Sequence, residues 1–337
     1  MNKVKAMFFT ITIIVTFVIA GCSSTKEKVS ANQENETNEI RMAIDTAAGG
    51  SLQFRAAEEQ GFFNAHEIKP QLTNFAMGID TVNAVLTKQA DTGIAADYVT
   101  INSLEKGDMV IISTLTRANE KSASETQLLA KEEIKTPIDL KGKKLGVSKG
   151  TVYEYVWDQY LKANEISEED VTYVPYSTPD EAIVGMKKGD IEAVWIGGAL
   201  TDKFYSINGV HQLDNLLGAG VSIDSYLLAD RTFVEENPQA IENALKALQE
   251  GIEFVQEQKE QTAQIAFEQL KIPKEDALKD LERTNYVLGF TEEDAKHLEE
   301  MKSWLEENGI LEESFDLKDK LMLDPLKKAV PSLVTYE

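Results

Sequence analysis

The chain has 337 residues, one cysteine, three histidines and a formal charge of −23. So acidic a surface argues against nucleic acid as a partner and against charge-driven adhesion to anionic lipid. A lone cysteine has no intrachain disulfide partner, and the roughly 300 residues beyond residue 38 exceed what one core organises, so two lobes are expected.

The chain opens with Lys3 and Lys5 and then runs apolar from Met7 to Ala20, interrupted only by Thr10, Thr12 and Thr16. That is the layout of a secretory signal peptide, too short to span a bilayer at roughly 20 residues per crossing. Ile19-Ala20-Gly21-Cys22 resembles the lipobox of bacterial lipoproteins, in which the cysteine thiol carries lipid and cleavage makes the cysteine the new N-terminus. On that resemblance residues 1–21 are a signal peptide and Cys22 is an anchor rather than a nucleophile, since several acyl chains on one residue hold durably. The segment 23–38, SSTKEKVSANQENETN, has Val29 as its one apolar side chain larger than alanine. It cannot bury enough surface to fold, and residues 22–38 are read as lipidated cysteine plus tether.

From Ile40 the pattern alternates. "IRMAID" reads as a strand, "LQFRAAEEQGFF" as a helix, "KPQLTNFA" as extended, "GIDTVNAVLTKQA" as a helix and "DTGIAA" as a strand ending at Asp97. About a hundred residues later the inventory returns: "KKLGVSKGT", the helix "VYEYVWDQYLKAN", extended "EEDVTYVPY", helical "TPDEAIVGMKKG" and the strand "DIEAVWIGG". Thr178-Pro179-Asp180 has the cap and first-turn proline of a helix start. Such alternation predicts two α/β lobes, each on a mainly parallel sheet. "SYLLAD" (225–230) reads as a returning strand, followed by acidic amphipathic helices in which Ile241, Leu245, Leu248, Ile252 and Phe254 are expected core.

"AAEEQGFFNAHEIKP", "VLTKQADTGIAA", "DLKGKKLGVSKGT", "MKKGDIEAVWIGG" and "FVEENPQAIENALKAL" stand in an order that resembles the solute-binding proteins of bacterial ABC importers. The group concerned serves taurine, alkanesulfonates, nitrate and thiamine-pyrimidine precursors. The resemblance implies a type II periplasmic-binding-protein fold, two α/β lobes joined by a two-strand hinge. Lobe one would take 39–117, lobe two 118–222, and 223–337 would complete lobe one and add C-terminal helices. It also implies delivery to ABC permease and ATPase subunits by a monomer lipid-anchored on the extracytoplasmic face. No cofactor is expected.

In open parallel sheets ligands sit beyond the carboxyl ends of the strands. In lobe one this points to Asp45, Thr46, Gly49 and Ser51, to Met77 and Gly78, and to Asp97 and Tyr98. Small residues there clear space and hydroxyls donate, while Asp45 either caps a helix or takes an ammonium. In lobe two, Ser148, Lys149, Gly150 and Thr151 follow a strand and open a helix, whose free N–H groups favour an anion or merely receive a cap. Trp195, beside Gly197, either stacks on a ligand or fills the core. Arg117 offers a forked donor set for a sulfonate, or is a solvated hinge residue.

His66, His211 and His297 lack metal-ligand spacing, and no G-x-S-x-G, Walker or G-x-G-x-x-G motif occurs. The expectation is a binder rather than an enzyme. The alternative is a lipoprotein of the same fold acting as a sensor subunit or as a thiamine-pyrimidine-type enzyme.

Overall fold

A computed structural model describes residues 38–46, 51–197 and 200–337. Cys22, the signal peptide, the tether, Gly49 and Gly198 lie outside the described residues. The described residues open with strand β1 (Asn38–Asp45), helix α1 (Leu52–Glu59), β2 (Ile68–Phe75), α2 (Gly78–Leu86), β3 (Thr92–Ala96), α3 (Asp97–Leu104) and β4 (Met109–Arg117). It then crosses into β5 (Gln127–Lys131), β6 (Lys144–Val147), α4 (Val152–Ala163), β7 (Thr172–Pro175), α5 (Pro179–Lys188), β8 (Ala193–Ile196) and β9 (Val210–Asn215). The return runs through β10 (Ser225–Asp230), α6 (Pro238–Glu257), α7 (Lys259–Leu270), α8 (Lys274–Arg283), β11 (Asn285–Gly289) and α9 (Glu292–Glu307).

These strands form one sheet in the order β11-β4-β10-β3-β1-β2 and another in the order β7-β6-β8-β5-β9. The expected mainly parallel sheets are instead mixed. β1 runs parallel to β2 and β3, and β6 runs parallel to β7 and β8. β10, β11 and β5 run antiparallel to their neighbours. The reason lies in the entry side. β5 and β10 arrive from the opposite lobe and therefore run away from the edge toward which β1, β3, β6 and β8 run.

Local sequence accounts for most boundaries. Thr178 accepts the Glu181 N–H at 3.3 Å with Pro179 at the first helical position, and α5 stops at left-handed Gly189. The helix read over "LQFRAAEEQGFF" stops at Glu59, because Gly61 turns left-handed (φ +76°) before a short helix at Phe62–Ala65. On α6, Ile241, Leu245, Leu248 and Ile252 are buried, but Phe254 is half-buried and meets Phe62 edge-on at 6.4 Å between ring centroids. At 3.6 residues per turn the buried stripe continues to Val255 rather than Phe254.

The first crossover lies between Arg117 and Gln127 and the second between Asn215 and Ser225. They are laced together. Ala118 N–H donates to Asp224 Oδ1 at 2.7 Å, and Asp97 N–H donates to the Asp224 carbonyl at 3.0 Å.

Candidate functional site

The residues that follow the carboxyl ends of β3 and β6 meet, the Tyr98 hydroxyl donating to Glu154 at 2.6 Å. At the end of β1, Thr46 is exposed and donates its N–H to the Phe75 carbonyl at 2.9 Å. Ser51, expected to donate to a ligand, is buried and gives its hydroxyl to the Asp45 carbonyl at 2.7 Å. Buried Arg55 braces the same turn, donating to Ser51 Oγ (3.2 Å), Asn74 Oδ1 (2.6 Å) and Gln269 Oε1 (3.2 Å). Burial lowers its pKa against the pull of Asp45 and Glu58. Met77 caps α2 with its side chain 39% exposed. Gly78 lets α2 approach β3: a Cβ there would stand 3.1 Å from Ala95 Cα, so its small size serves backbone packing.

In lobe two the loop Ser148–Thr151 opens α4, but its Gly150 N–H and Thr151 hydroxyl are already engaged. Gly150 N–H donates to Glu154 Oε2 at 2.9 Å, and Thr151 Oγ1 accepts the Tyr153 N–H at 3.4 Å. Thr151 Oγ1 in turn donates to the Ser148 carbonyl at 2.7 Å. Lys149 is exposed. Glu154 also accepts from the hydroxyl of Tyr98 at 2.6 Å, a bond that joins the lobe-one rim to this loop. Desolvation, and then the Glu154 carboxylate, push the Tyr98 hydroxyl far up. One turn further along α4, Asp158 accepts Trp304 Nε1–H from α9 at 2.6 Å, and the Tyr155 and Trp304 rings meet edge-on at 5.1 Å.

Three expected ligand contacts are engaged within the protein. Trp195 is 0% exposed, packed edge-on against Trp157 (5.9 Å) and Tyr160 (5.3 Å), so it fills the lobe-two core. It is the third residue of a four-residue strand buried along its whole length. Arg117 donates through Nε and Nη2 to the two oxygens of Asp294, each at 2.7 Å, a bidentate pair at the first crossover. Asp97 is buried, accepts from Tyr98 N–H (2.7 Å) and Asp224 N–H (3.2 Å), and pairs with His297 Nε2 at 2.8 Å. Asp97 and Tyr98, expected in a loop, open α3. Gly197 sits against the first crossover, where a Cβ would lie 3.1 Å from Thr126 Oγ1.

This hinge carries a coupled set of charges. Burial raises the Asp224 carboxyl, opposed by the Ala118 N–H and His297. For His297 burial acts downward, but the hydrogen bond and charge of Asp97, with Asp224 and Glu300, overcome it and raise the pKa to about 9. Among the described residues no group of three His, Cys, Asp or Glu could hold a metal ion.

The sequence reading missed Arg55, Glu154, Asp158, Asp224, Asp294 and Trp304. Two had a local signal in the Thr-x-x-acid spacing of a capping box: Thr291 and Asp294 complete one, whereas Glu154 reaches back to the Gly150 N–H instead. The others depend on contacts between residues far apart in sequence.

Comparison with known proteins places this geometry. Residues 51–262 match the sequence profile of the family described as NMT1/THI5 like. No curated protein sequence matches the chain. Among solved structures, the periplasmic aliphatic sulphonate binding protein SsuA from Escherichia coli is 20% identical with a TM-score of 0.71, over 85% of this chain and 92% of that one. The alkanesulfonate-binding protein SsuA from Xanthomonas axonopodis pv. citri, bound to MOPS, is 14% identical with a TM-score of 0.71, over 86% and 99%. The desulfurization enzyme DSZB is 14% identical with a TM-score of 0.65, over 88% and 99%. With well over half its length matched by one family profile, and with a periplasmic-binding-protein fold, the chain belongs to the NMT1/THI5-like family.

Proposed function

We propose that this protein is an extracytoplasmic solute receptor, tethered by lipid on Cys22, that captures a small organic solute between its lobes and delivers it to an ABC importer. The observation that carries this reading is a pair of sheets joined by two laced crossovers, with Tyr98 and Glu154 bonded across their rims. Bending at two crossovers opens such a cleft, and closing it removes a solute from water. The fold's likeness to sulfonate-binding proteins supports a solute of sulfonate, taurine, nitrate or pyrimidine type. The cleft contacts we assign are Asp45, Thr46, Gly49, Met77, Lys149 and Gly150, with Tyr98 and Glu154 closing the rim. The acidic chain is kept at the membrane by acyl chains rather than by charge.

The test is thermal denaturation of the full chain in detergent, after refolding to strip bound solute, against sulfonates, nitrate, pyrimidines, amino acids and carboxylates. A solute at one hundred times its Kd adds about 2.7 kcal/mol, a shift of several degrees. A flat panel with folded protein overturns the proposal. Solute recovered unchanged after incubation supports a receptor, and turnover makes the chain an enzyme, a reading favoured only by the fold it shares with the desulfurization enzyme. Cys22→Ser is expected to abolish partition into the detergent phase.

A further inference from the structure

Among the described residues, two donors near the inner rim of the first sheet, Arg283 Nε and the Tyr286 hydroxyl, are buried without a hydrogen-bond acceptor. β11 joins β4 with Asn285 opposite Arg117 and Tyr286 opposite Thr116, at the end of β4 that faces lobe two. Tyr286 is 2% exposed and its hydroxyl has no hydrogen-bond partner. The Thr284 hydroxyl acts on the Tyr286 oxygen as a donor, which leaves the proton of the Tyr286 hydroxyl unspent. Arg283 ends α8, with its carbonyl held by Asn119 Nδ2 of the first crossover at 3.1 Å. The Arg283 side chain is 12% exposed, and its Nη2 is fixed by Asp280 at 2.6 Å. Its Nε is buried without a hydrogen-bond partner and pairs only at ion-pair distance, 3.9 Å, with the Glu125 carboxylate of the first crossover.

Lobe two reaches the same spot. Tyr153, in the first turn of α4, has its hydroxyl pKa raised by burial and drawn back by the Arg283 guanidinium. Tyr286 is likewise raised by burial and drawn back by Arg283, with the Asp280 and Asp45 carboxylates pushing the other way. The Arg283 charge is thus felt by a tyrosine of each lobe.

A buried donor without an acceptor costs about 1–3 kcal/mol, and folded proteins keep few of them. Two such donors three residues apart in the chain, one of them on a cation, leave hydrogen-bonding capacity that Asp280 and Glu125 do not use up. Guanidinium is the side chain best shaped for an oxyanion, and a phenol hydroxyl adds a directed third donor. We infer that Arg283 and Tyr286 form the oxyanion-binding pair of the interlobe site, taking the sulfonate or carboxylate end of the solute. This rests on the solute-receptor reading, and neither residue belongs to the contacts assigned there.

The experiment uses the full chain in detergent, with methanesulfonate, taurine and acetate as probes, and compares wild type with Tyr286→Phe and Arg283→Gln. Because the hydroxyl is unsatisfied in the folded protein, Tyr286→Phe is expected to melt at the same temperature as wild type or higher without a probe. Its Kd for the best probe is expected to rise at least fivefold, and that of Arg283→Gln at least tenfold. Should Arg283→Gln fail to fold, leaving Asp280 unpaired, Tyr286→Phe decides alone. A lower melting temperature for Tyr286→Phe overturns the inference, because the hydroxyl would then be satisfied from within. Probe affinity of Tyr286→Phe within twofold of wild type overturns it while leaving the receptor reading intact. If wild type responds to none of the three oxyanions but to a neutral solute, the pair falls and the receptor stands. If it responds to no solute at all, both fall.

Discussion

The His297–Asp97 pair gives the structure a pH signature that can be worked through in advance. His297 has an ordinary pKa of 6.5 and a folded value of about 9. Burial alone would lower it; the 2.8 Å contact with buried Asp97 reverses the sign, aided by Asp224 and Glu300. A group whose folded pKa is raised stabilises fully below its unfolded pKa and loses that contribution as pH climbs through the folded value. The window is therefore pH 6.5 to about 9. A gap of about 2.5 pH units at 1.36 kcal/mol each gives about 3 kcal/mol as an order of magnitude. Urea denaturation of wild type and His297→Gln at pH 6, 7.5 and 9.5 reads this directly. Wild type is expected to lose roughly 3 kcal/mol more than the variant between pH 6 and 9.5, and Asp97→Asn to move the His297 titration, followed by NMR, down from about 9. Parallel stability profiles for wild type and His297→Gln would refute the reasoning.

Three further outcomes follow from contacts described above. Arg117→Gln leaves the 2%-exposed Asp294 carboxylate without its bidentate partner and is expected to cost about 2–4 kcal/mol in urea denaturation, with Lys only partly restoring it. Trp195→Ala empties a fully buried site between Trp157 and Tyr160; a loss of about 3–5 kcal/mol is expected, with Trp195→Phe costing less than half of that. Tyr98→Phe removes the lobe-to-lobe bond to Glu154, worth about 1.5–3 kcal/mol because one partner is charged. Solute affinity is expected to fall several-fold, with a larger radius of gyration in small-angle scattering of the solute-free protein.

Much of the architecture was legible because it is written locally. Strand and helix periods, the Thr178-Pro179 start and the apolar stripe of α6 all depend on residues within a turn or two of each other. The duplicated alternation announced two lobes. What the local pattern could not convey was direction within a sheet. β10 reads like any short apolar strand, and only its arrival from the far lobe makes it antiparallel to both β3 and β4. The site was legible as places rather than as roles. Loops at strand ends were found, but Arg117, Asp97 and Trp195 each had a suitable chemical type and a partner that the sequence does not reveal. For Arg117 it lies 177 positions on, at Asp294, and for Asp97 200 positions on, at His297. Arg283 and Tyr286 were passed over for the opposite reason. They lie in an acidic helical stretch that looks like solvated surface, and only the sheet register carries them to the rim.

The placement of β10 between β3 and β4 also sets the order in which the molecule can be completed. All five strands of the second sheet precede β10 in the chain, so lobe two can close while lobe one still lacks an interior strand. During synthesis β3 and β4 wait for the hundred-odd residues between Arg117 and Ser225, about 5–20 s at ordinary elongation rates. Throughout that interval each presents an unpaired apolar edge, the geometry most prone to pairing with another chain. The nascent protein is thus most exposed to misassembly between its first and its last third, and whatever shields it must act on the strands laid down first.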